Sequence, residues 1–220
     1  MKVKICGITN SADALSVIEA GAAYIGFVFA KSPRMIDIKR AEDICAGLVE
    51  TGLRSRIKIA GVFVNENPAV MKSYIDMGII DIAQIHGDET AAECSLFDFP
   101  YIRALRVKDL SEPAAAEAFT AEISALTCKT VLIDSFSEKV YGGSGIQVAL
   151  DSAITASRLL RSAGKEFFIA GGLTPDNVGG IVTAVRPDGI DVSGGVEKRP
   201  GVKSRDKIIR LMKAVSGGDL

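Results

Sequence analysis

Short apolar, β-branched runs alternate with amphipathic stretches eight times along this chain, at residues 3–6, 24–29, 57–64, 81–85, 101–105, 130–133, 167–170 and 189–192. Most of these runs are continuously apolar, the pattern of strands buried on both faces of a parallel sheet. Parallel neighbours need a crossover connection rather than a hairpin, and 220 residues shared among eight units leave about 27 for each, close to the minimum. This predicts an α/β protein, a single-domain (β/α)8 TIM barrel of eight parallel strands spanning residues 1–220. A doubly wound open sheet is the alternative, because periodicity does not distinguish closure from an open edge. The count of eight and a final unit that still ends in a helix favour the barrel.

Helix starts are marked between the strands. Asn10-Ser11, Asn67-Pro68 and Thr174-Pro175 each place a capping side chain ahead of an amphipathic stretch, twice with proline where a helix has no N–H to lose. The segments so begun are 12–19, the stretch carrying Val70, Tyr74 and Met77, and 176–185. Near the end, Ile208, Leu211, Met212 and Val215 form the stripe of one buried helix face.

Charge narrows the function. Twenty-six Lys and Arg against 27 Asp and Glu give a net charge of −1, with no basic run fit to neutralise a polynucleotide, so no nucleic-acid partner is expected. The longest uncharged apolar stretch, 20–30, is far short of the roughly 20 residues that span a bilayer, so no membrane association is expected. Gly7 and Thr9 arrive before any secretion-signal core could form, which points to the cytoplasm. Four cysteines without a Cys-x-x-Cys pair read as free thiols. A single histidine, His86, rules out His-rich zinc sites, and no dedicated metal site is visible. Gly143-Ser144-Gly145-Ile146-Gln147-Val148 matches the dinucleotide fingerprint only in part.

In a barrel of this kind the chemistry belongs where strands end. Those positions hold Cys6, Lys31 to Arg34, Asn65, His86, Arg103, Arg106, Asp134, Gly171-Gly172 and Ser193 to Gly195. Gly171-Gly172 and Ser193-Gly194 occupy the seventh and eighth loops, the recurrent phosphate site of the fold, where glycine lets backbone N–H groups converge on an anion. The plain alternative is two tight turns. Gly142-Gly143-Ser144-Gly145 reads as a substrate loop. Cys6 is either inert core or a base, if a nearby charge favours its thiolate. Asp134 is either a rim salt bridge or a general acid in an enclosed site. Arg34 could grip a carboxylate through two parallel hydrogen bonds, and His86 suits a rim residue of fixed tautomer.

Together these segments resemble the phosphoribosylanthranilate isomerase family. The resemblance is carried by Lys4-Ile5-Cys6-Gly7-Ile8-Thr9, Gly26-Phe27-Val28-Phe29 with Ser32-Pro33-Arg34, Gly61-Val62-Phe63-Val64-Asn65 and Gln84-Ile85-His86-Gly87. It continues through Leu132-Ile133-Asp134, Gly142-Gly143-Ser144-Gly145, Gly171-Gly172-Leu173 and Asp191-Val192-Ser193, in order from residue 4 to Gly201. It implies a (β/α)8 barrel of tryptophan biosynthesis that uses no cofactor or metal and performs an Amadori rearrangement on a small phosphorylated substrate. It further implies Asp134 as general acid, Cys6 as general base and Arg34 on the anthranilate carboxylate. Gly171, Gly172, Ser193 and Gly194 would hold the phosphate, with Asp191 shaping the site and His86 beside the substrate.

The chain departs from the family pattern at three places. Ser193-Gly194 stands where two serines are usual. Ile146-Gln147-Val148-Ala149-Leu150-Asp151 replaces a Phe-Asp-Trp stretch, and Ser204 follows Lys203 where an acidic residue is common. A silent phospho-ligand-binding barrel would not need Cys6 and Asp134. A metal-dependent epimerase would want more histidines, and a Schiff-base lyase a lysine ending a strand. Whether the chain acts as a monomer or a homodimer is left open.

Overall fold

The computed structural model describes residues 1–107, 109–135 and 150–217, the side chain of Ser135 excepted. The glycine loop at 142–145 and the departure at 146–149 lie outside the described residues. The strands are β1 (Lys2–Cys6), β2 (Tyr24–Val28), β3 (Lys58–Phe63), β4 (Ile82–Ile85), β5 (Tyr101–Val107), β6 (Thr130–Ser135), β7 (Glu166–Ile169) and β8 (Gly189–Val192). Each pairs in parallel with the next, and β8 returns to β1 in register from Lys2↔Gly189 to Ile5↔Val192. The sheet is therefore a closed barrel, not the open alternative.

The helices between and after them are α1 (Ser11–Glu19), α2 (Ile38–Glu50), α3 (Pro68–Asp76), α4 (Ala91–Cys94), α5 (Pro113–Ala125), α6 (Leu150–Ser162), α7 (Val178–Val185) and α8 (Arg205–Ser216). A short hairpin, β9 (Glu197–Arg199) with β10 (Val202–Lys203), decorates the eighth loop.

Most of the local signals act as their chemistry dictates. Asn10 accepts from the Asp13 N–H at 2.8 Å and Asn67 from the Ala69 N–H at 2.9 Å, each satisfying a donor that the first turn leaves open. Ser204 caps α8 through the Lys207 N–H, so a hydroxyl does the capping that an acidic residue could do at that position. Helix α7 starts at Val178, later than Thr174-Pro175 suggests. The side chain of Asn177 explains the delay, since it accepts from the Thr174 N–H and donates to the Gly172 carbonyl, closing a turn first. In α3 the buried residue is Met71, flanked by Tyr74 and Ile75, and Met77 lies exposed beyond its end.

Strand alternation divides the core in two. Ile5, Ile25, Phe27, Ile59, Phe63, Ile85, Val131, Ile133, Phe167, Ile169, Ile190 and Val192 pack outward with the helices in one large cluster. Ile102, Ala104, Leu132, Phe168 and Ala170, with Tyr24 and Ile82, form a separate cluster within the barrel. Above it Cys6, Val28 and Val62 form a third, beside the mouth. The interior is thus filled from below, and the polar inward positions, Lys4, Gln84, His86, Asp134 and Asp191, collect toward the C-terminal ends of the strands.

Candidate active site

One cavity of about 1190 Å³ opens at that end. Its lining includes Cys6, Arg34, His86, Asp134, Gly171, Gly172, Asp191, Ser193 and Gly194, so every residue that the family resemblance implies for the site borders the same space. Asn65, Arg103 and Arg106 are not among its lining residues. Arg103 instead donates to the carbonyls of Ile85, Gly87 and Glu89 and to the Glu89 carboxylate. Arg106 pairs with Asp88 at 2.7 Å, and Asn65 accepts from the Asp88 N–H. These three fasten the loop that follows His86.

Cys6 closes β1 at the cavity floor, and its surroundings differ from a solvated thiol's. Burial pushes its pKa up, opposed by the ammonium groups of Lys4 and Lys203 and reinforced by the Asp191 carboxylate. Lys4 is fully buried two positions earlier on the same inward face, its Nζ donating to Asp191 Oδ2 at 2.8 Å. Burial alone would lower the lysine pKa, but Asp191 and Cys6 outweigh it and the net direction is up. Glycine at position 26 makes the arrangement possible, because a Cβ there would stand 2.7 Å from the Cys6 sulfur and 3.1 Å from Lys4 Nζ.

Position alone does not mark Lys4, since it does not end a strand. The sequence does carry a signal for it, as Lys4 and Asp191 are opposite charges inside apolar strands that become register partners once the barrel closes. A Schiff base needs a neutral amine, whereas this lysine is ion-paired with its pKa raised, which argues against lyase chemistry at Lys4.

Asp134, on β6, is buried with Oδ2 3.2 Å from His86 Nε2. That contact lacks the alignment of a hydrogen bond. Nδ1 of His86 meets Gln84 Nε2 at 3.2 Å, a neighbour two residues back on the same face of β4 that sequence reasoning passed over.

Arg34 is already engaged. Its Nε and Nη2 donate to the two carboxylate oxygens of Glu197, both at 2.8 Å. That pairing raises the arginine pKa further. Burial would raise the Glu197 pKa, but Arg34 and Lys203 hold it below the ordinary carboxylate range. Lys203 donates to the same carboxylate at 2.9 Å and to the Ser193 carbonyl at 3.2 Å, while its burial lowers its own pKa. Glu197 lies on the hairpin after β8, and nothing in its sequence context signals the pairing.

The seventh and eighth loops fit an anion. Gly171 and Gly172 hold φ of +98° and +63°, which aims successive backbone groups as side-chain-bearing residues rarely can. Ser193 Oγ is buried at the cavity with no hydrogen-bond partner among the described residues. Gly195 packs so closely that a Cβ would stand 1.8 Å from the Leu173 carbonyl, locking the two loops together.

Comparison with known proteins agrees with this geometry. The family model for N-(5′-phosphoribosyl)anthranilate (PRA) isomerase matches residues 3–214. The N-(5′-phosphoribosyl)anthranilate isomerase of Pseudomonas fluorescens strain Pf0-1 is 42% identical over 217 residues, covering 98% of each chain. Among solved structures, phosphoribosyl anthranilate isomerase from Thermotoga maritima superposes with a TM-score of 0.82 at 31% identity, covering 99% of each chain. A phosphoribosyl anthranilate isomerase in complex with reduced 1-(o-carboxyphenylamino)-1-deoxyribulose 5-phosphate gives 0.78 at 30% identity, again over 99% of each chain. Full-length matches in sequence and fold thus accompany a cavity that gathers a thiol, a carboxyl group, an arginine and two glycine loops, and the chain belongs to the N-(5′-phosphoribosyl)anthranilate isomerase family.

Proposed function

We propose that this chain catalyses its family's isomerisation, the Amadori rearrangement of N-(5′-phosphoribosyl)anthranilate, with Asp134 as general acid and Cys6 as general base. The observation that carries the assignment is the single cavity bordered by both groups, with an arginine and two glycine loops as anchors for the two charged ends of such a substrate.

Asp134 gives its proton to the furanose ring oxygen as the C1′–O bond breaks. The nitrogen lone pair forms the C1′=N bond, leaving an open-chain Schiff base. The Cys6 thiolate then takes the C2′ proton, and those electrons form C1′=C2′ while the C=N pair returns to nitrogen. The resulting enolamine tautomerises to the ketone, so the hydrogen count is unchanged overall. A buried thiol of raised pKa is scarce as thiolate at neutral pH but strongly basic once formed, and the Lys4 ammonium does most to stabilise it.

Backbone groups at Gly171, Gly172 and Gly194 and the Ser193 hydroxyl, which has no partner among the described residues, suit the phosphate. Glu197 occupies the Nε–Nη2 edge of Arg34, so the remaining guanidinium hydrogens suit the anthranilate carboxylate. Asp191 shapes the floor through Lys4, and His86 borders the sugar position. No cofactor or metal takes part in these steps, and the barrel of residues 1–220 is the catalytic unit. Among the described residues no helix is long and apolar enough to cross a membrane. We assign the enzyme to the cytoplasm, acting on a small phosphorylated substrate as a monomer or homodimer.

The test is turnover of freshly generated phosphoribosylanthranilate, followed by loss of its fluorescence. Wild-type protein should turn over, while Asp134→Asn and Cys6→Ser should retain binding and lose it. Absence of turnover by folded wild-type protein would overturn the assignment.

A further inference from the structure

We propose that Gln84 fixes the His86 imidazole as its neutral, Nε2-protonated tautomer, making His86 a standing hydrogen-bond donor beside Asp134 and Gln84 a positioning residue for that carboxyl group. The proposal deepens the site described above and rests on the assignment of Asp134 as the acid.

The geometry runs outward from the barrel interior. Gln84 and His86 sit two residues apart near the C-terminal end of β4, both facing inward and both buried, at 1% and 6% exposure, so water competes little for either. Gln84 Nε2 lies 3.2 Å from His86 Nδ1. An amide nitrogen only donates, so Nδ1 must accept, and the one proton of a neutral imidazole is left on Nε2. Nε2 is the ring nitrogen that stands 3.2 Å from Asp134 Oδ2. The amide oxygen of Gln84 has no hydrogen-bond partner among the described residues, so the side chain is oriented by what its nitrogen reaches while its oxygen goes unsatisfied. Turning the amide over would put the proton on Nδ1 and aim the Nε2 lone pair at the Asp134 carboxyl, where it would hold the proton that the acid must deliver to the ring oxygen.

The consequence is a division of labour. An imidazole whose Nδ1 is occupied as an acceptor and whose Nε2 already bears hydrogen has no lone pair left to take a proton from the sugar. His86 therefore presents an N–H 3.2 Å from one oxygen of the Asp134 carboxyl group, not aligned with it at rest but placed to donate once the carboxyl turns into line, and leaves proton transfer to Asp134 and Cys6.

Because His86 is the chain's only histidine, the tautomer can be read directly. In full-length protein labelled with 15N-histidine, two-bond couplings separate the ring nitrogens, since Nε2 couples to both ring carbon-bound protons and Nδ1 mainly to one. The expected wild-type result at neutral pH is a protonated Nε2 and a bare Nδ1. A proton on Nδ1 in the wild type overturns the proposal, whatever happens to the variants. In Gln84→Leu the preference for Nε2 should weaken, and in Gln84→Glu the proton should move to Nδ1 or both nitrogens should carry one. An unchanged tautomer in both folded variants also overturns it. Turnover by Gln84→Leu should fall on the order of 10²-fold in kcat with KM little changed, the cost of a misplaced catalytic group. Cys6→Ser should stop turnover while leaving the histidine spectrum unchanged. The spectrum needs no turnover, so loss of the isomerase assignment and loss of this proposal are distinguishable.

Discussion

Lys4 and Asp191 form an ion pair inside the barrel, Nζ to Oδ2 at 2.8 Å, across two strands that become neighbours only because the sheet closes. Their side chains are 0% and 7% exposed, so each charge depends on the other for compensation. Removing one partner of such a pair typically costs about 3–5 kcal/mol, because the survivor is left buried and unpaired. Lys4→Met should therefore lower the urea midpoint markedly. The double variant Lys4→Met with Asp191→Asn should recover part of the loss by removing both charges. A single variant as stable as the wild type would show that the pair does not hold the two strands together.

The thiols set an opposition between activity and stability at high pH. Burial raises the pKa of Cys6, Cys45 and Cys128, and that of Cys94 to about 11. A group whose folded pKa lies above its unfolded value contributes stability that is fully present below the unfolded value, roughly 8.5 for a thiol, and is lost as pH rises through the folded one. Unfolding midpoints should thus decline above about pH 8.5. Over the same interval kcat/KM should rise as the Cys6 thiolate forms. A fall in kcat/KM between neutral pH and pH 9, with the fold intact, would remove Cys6 as the base.

Two glycines should respond in opposite ways to the same added methyl. Gly195→Ala would drive its Cβ to 1.8 Å from the Leu173 carbonyl, which must displace the seventh loop. Substrate KM should rise severalfold or more. In α7, Gly180 has nothing within 4 Å of its Cβ position and no positive φ. Gly180→Ala should raise stability by about 0.4–1 kcal/mol by restricting the unfolded chain, without touching KM. Thermal unfolding beside steady-state kinetics checks both. Equal KM in the wild type and Gly195→Ala would show that the two loops do not grip the phosphate.

The barrel was legible because parallel strands buried on both faces leave continuous apolar runs, and eight such runs can be counted without knowing how they pair. That Cys6, Asp134 and Ser193 line the cavity is legible because the mouth of a barrel lies at the C-terminal ends of its strands. Lys4 and Gln84 are not legible in that way, for the converse reason. They lie one inward step below the rim, beside Cys6 and His86, and do not themselves end a strand. Arg103 and Arg106 sit in β5 at positions that read like ligands, yet they hold the loop after β4, because an arginine fork binds that loop's carbonyls and carboxylates as well as it could bind a substrate anion. The Glu197 pairing is written only in the fold, since its partners Arg34 and Lys203 meet only when the hairpin folds back over the eighth loop.

That last contact gives the sharpest test of how the carboxylate end of the substrate is held. Glu197 fixes the plane of the Arg34 guanidinium through two parallel hydrogen bonds, while Lys203 and the Gly201 N–H satisfy the rest of the carboxylate. Glu197→Gln replaces one acceptor with a donor facing two cations, so the fork should turn away. Arg34→Lys keeps the charge but has no fork to lay against a planar carboxylate. Both variants should raise KM about tenfold or more, the loss of roughly one charge-assisted hydrogen bond, with a smaller change in kcat. The acid side follows from the same residues. The Glu197 pKa lies below its unfolded value, so its contribution to stability is present above about pH 4.3 and is lost as pH falls through the folded value. Acid unfolding of the wild type should therefore begin below that pH, and Glu197→Gln should flatten the acid limb. Unchanged KM in both variants would mean that the carboxylate is held elsewhere, and that the pair serves only to pin the hairpin.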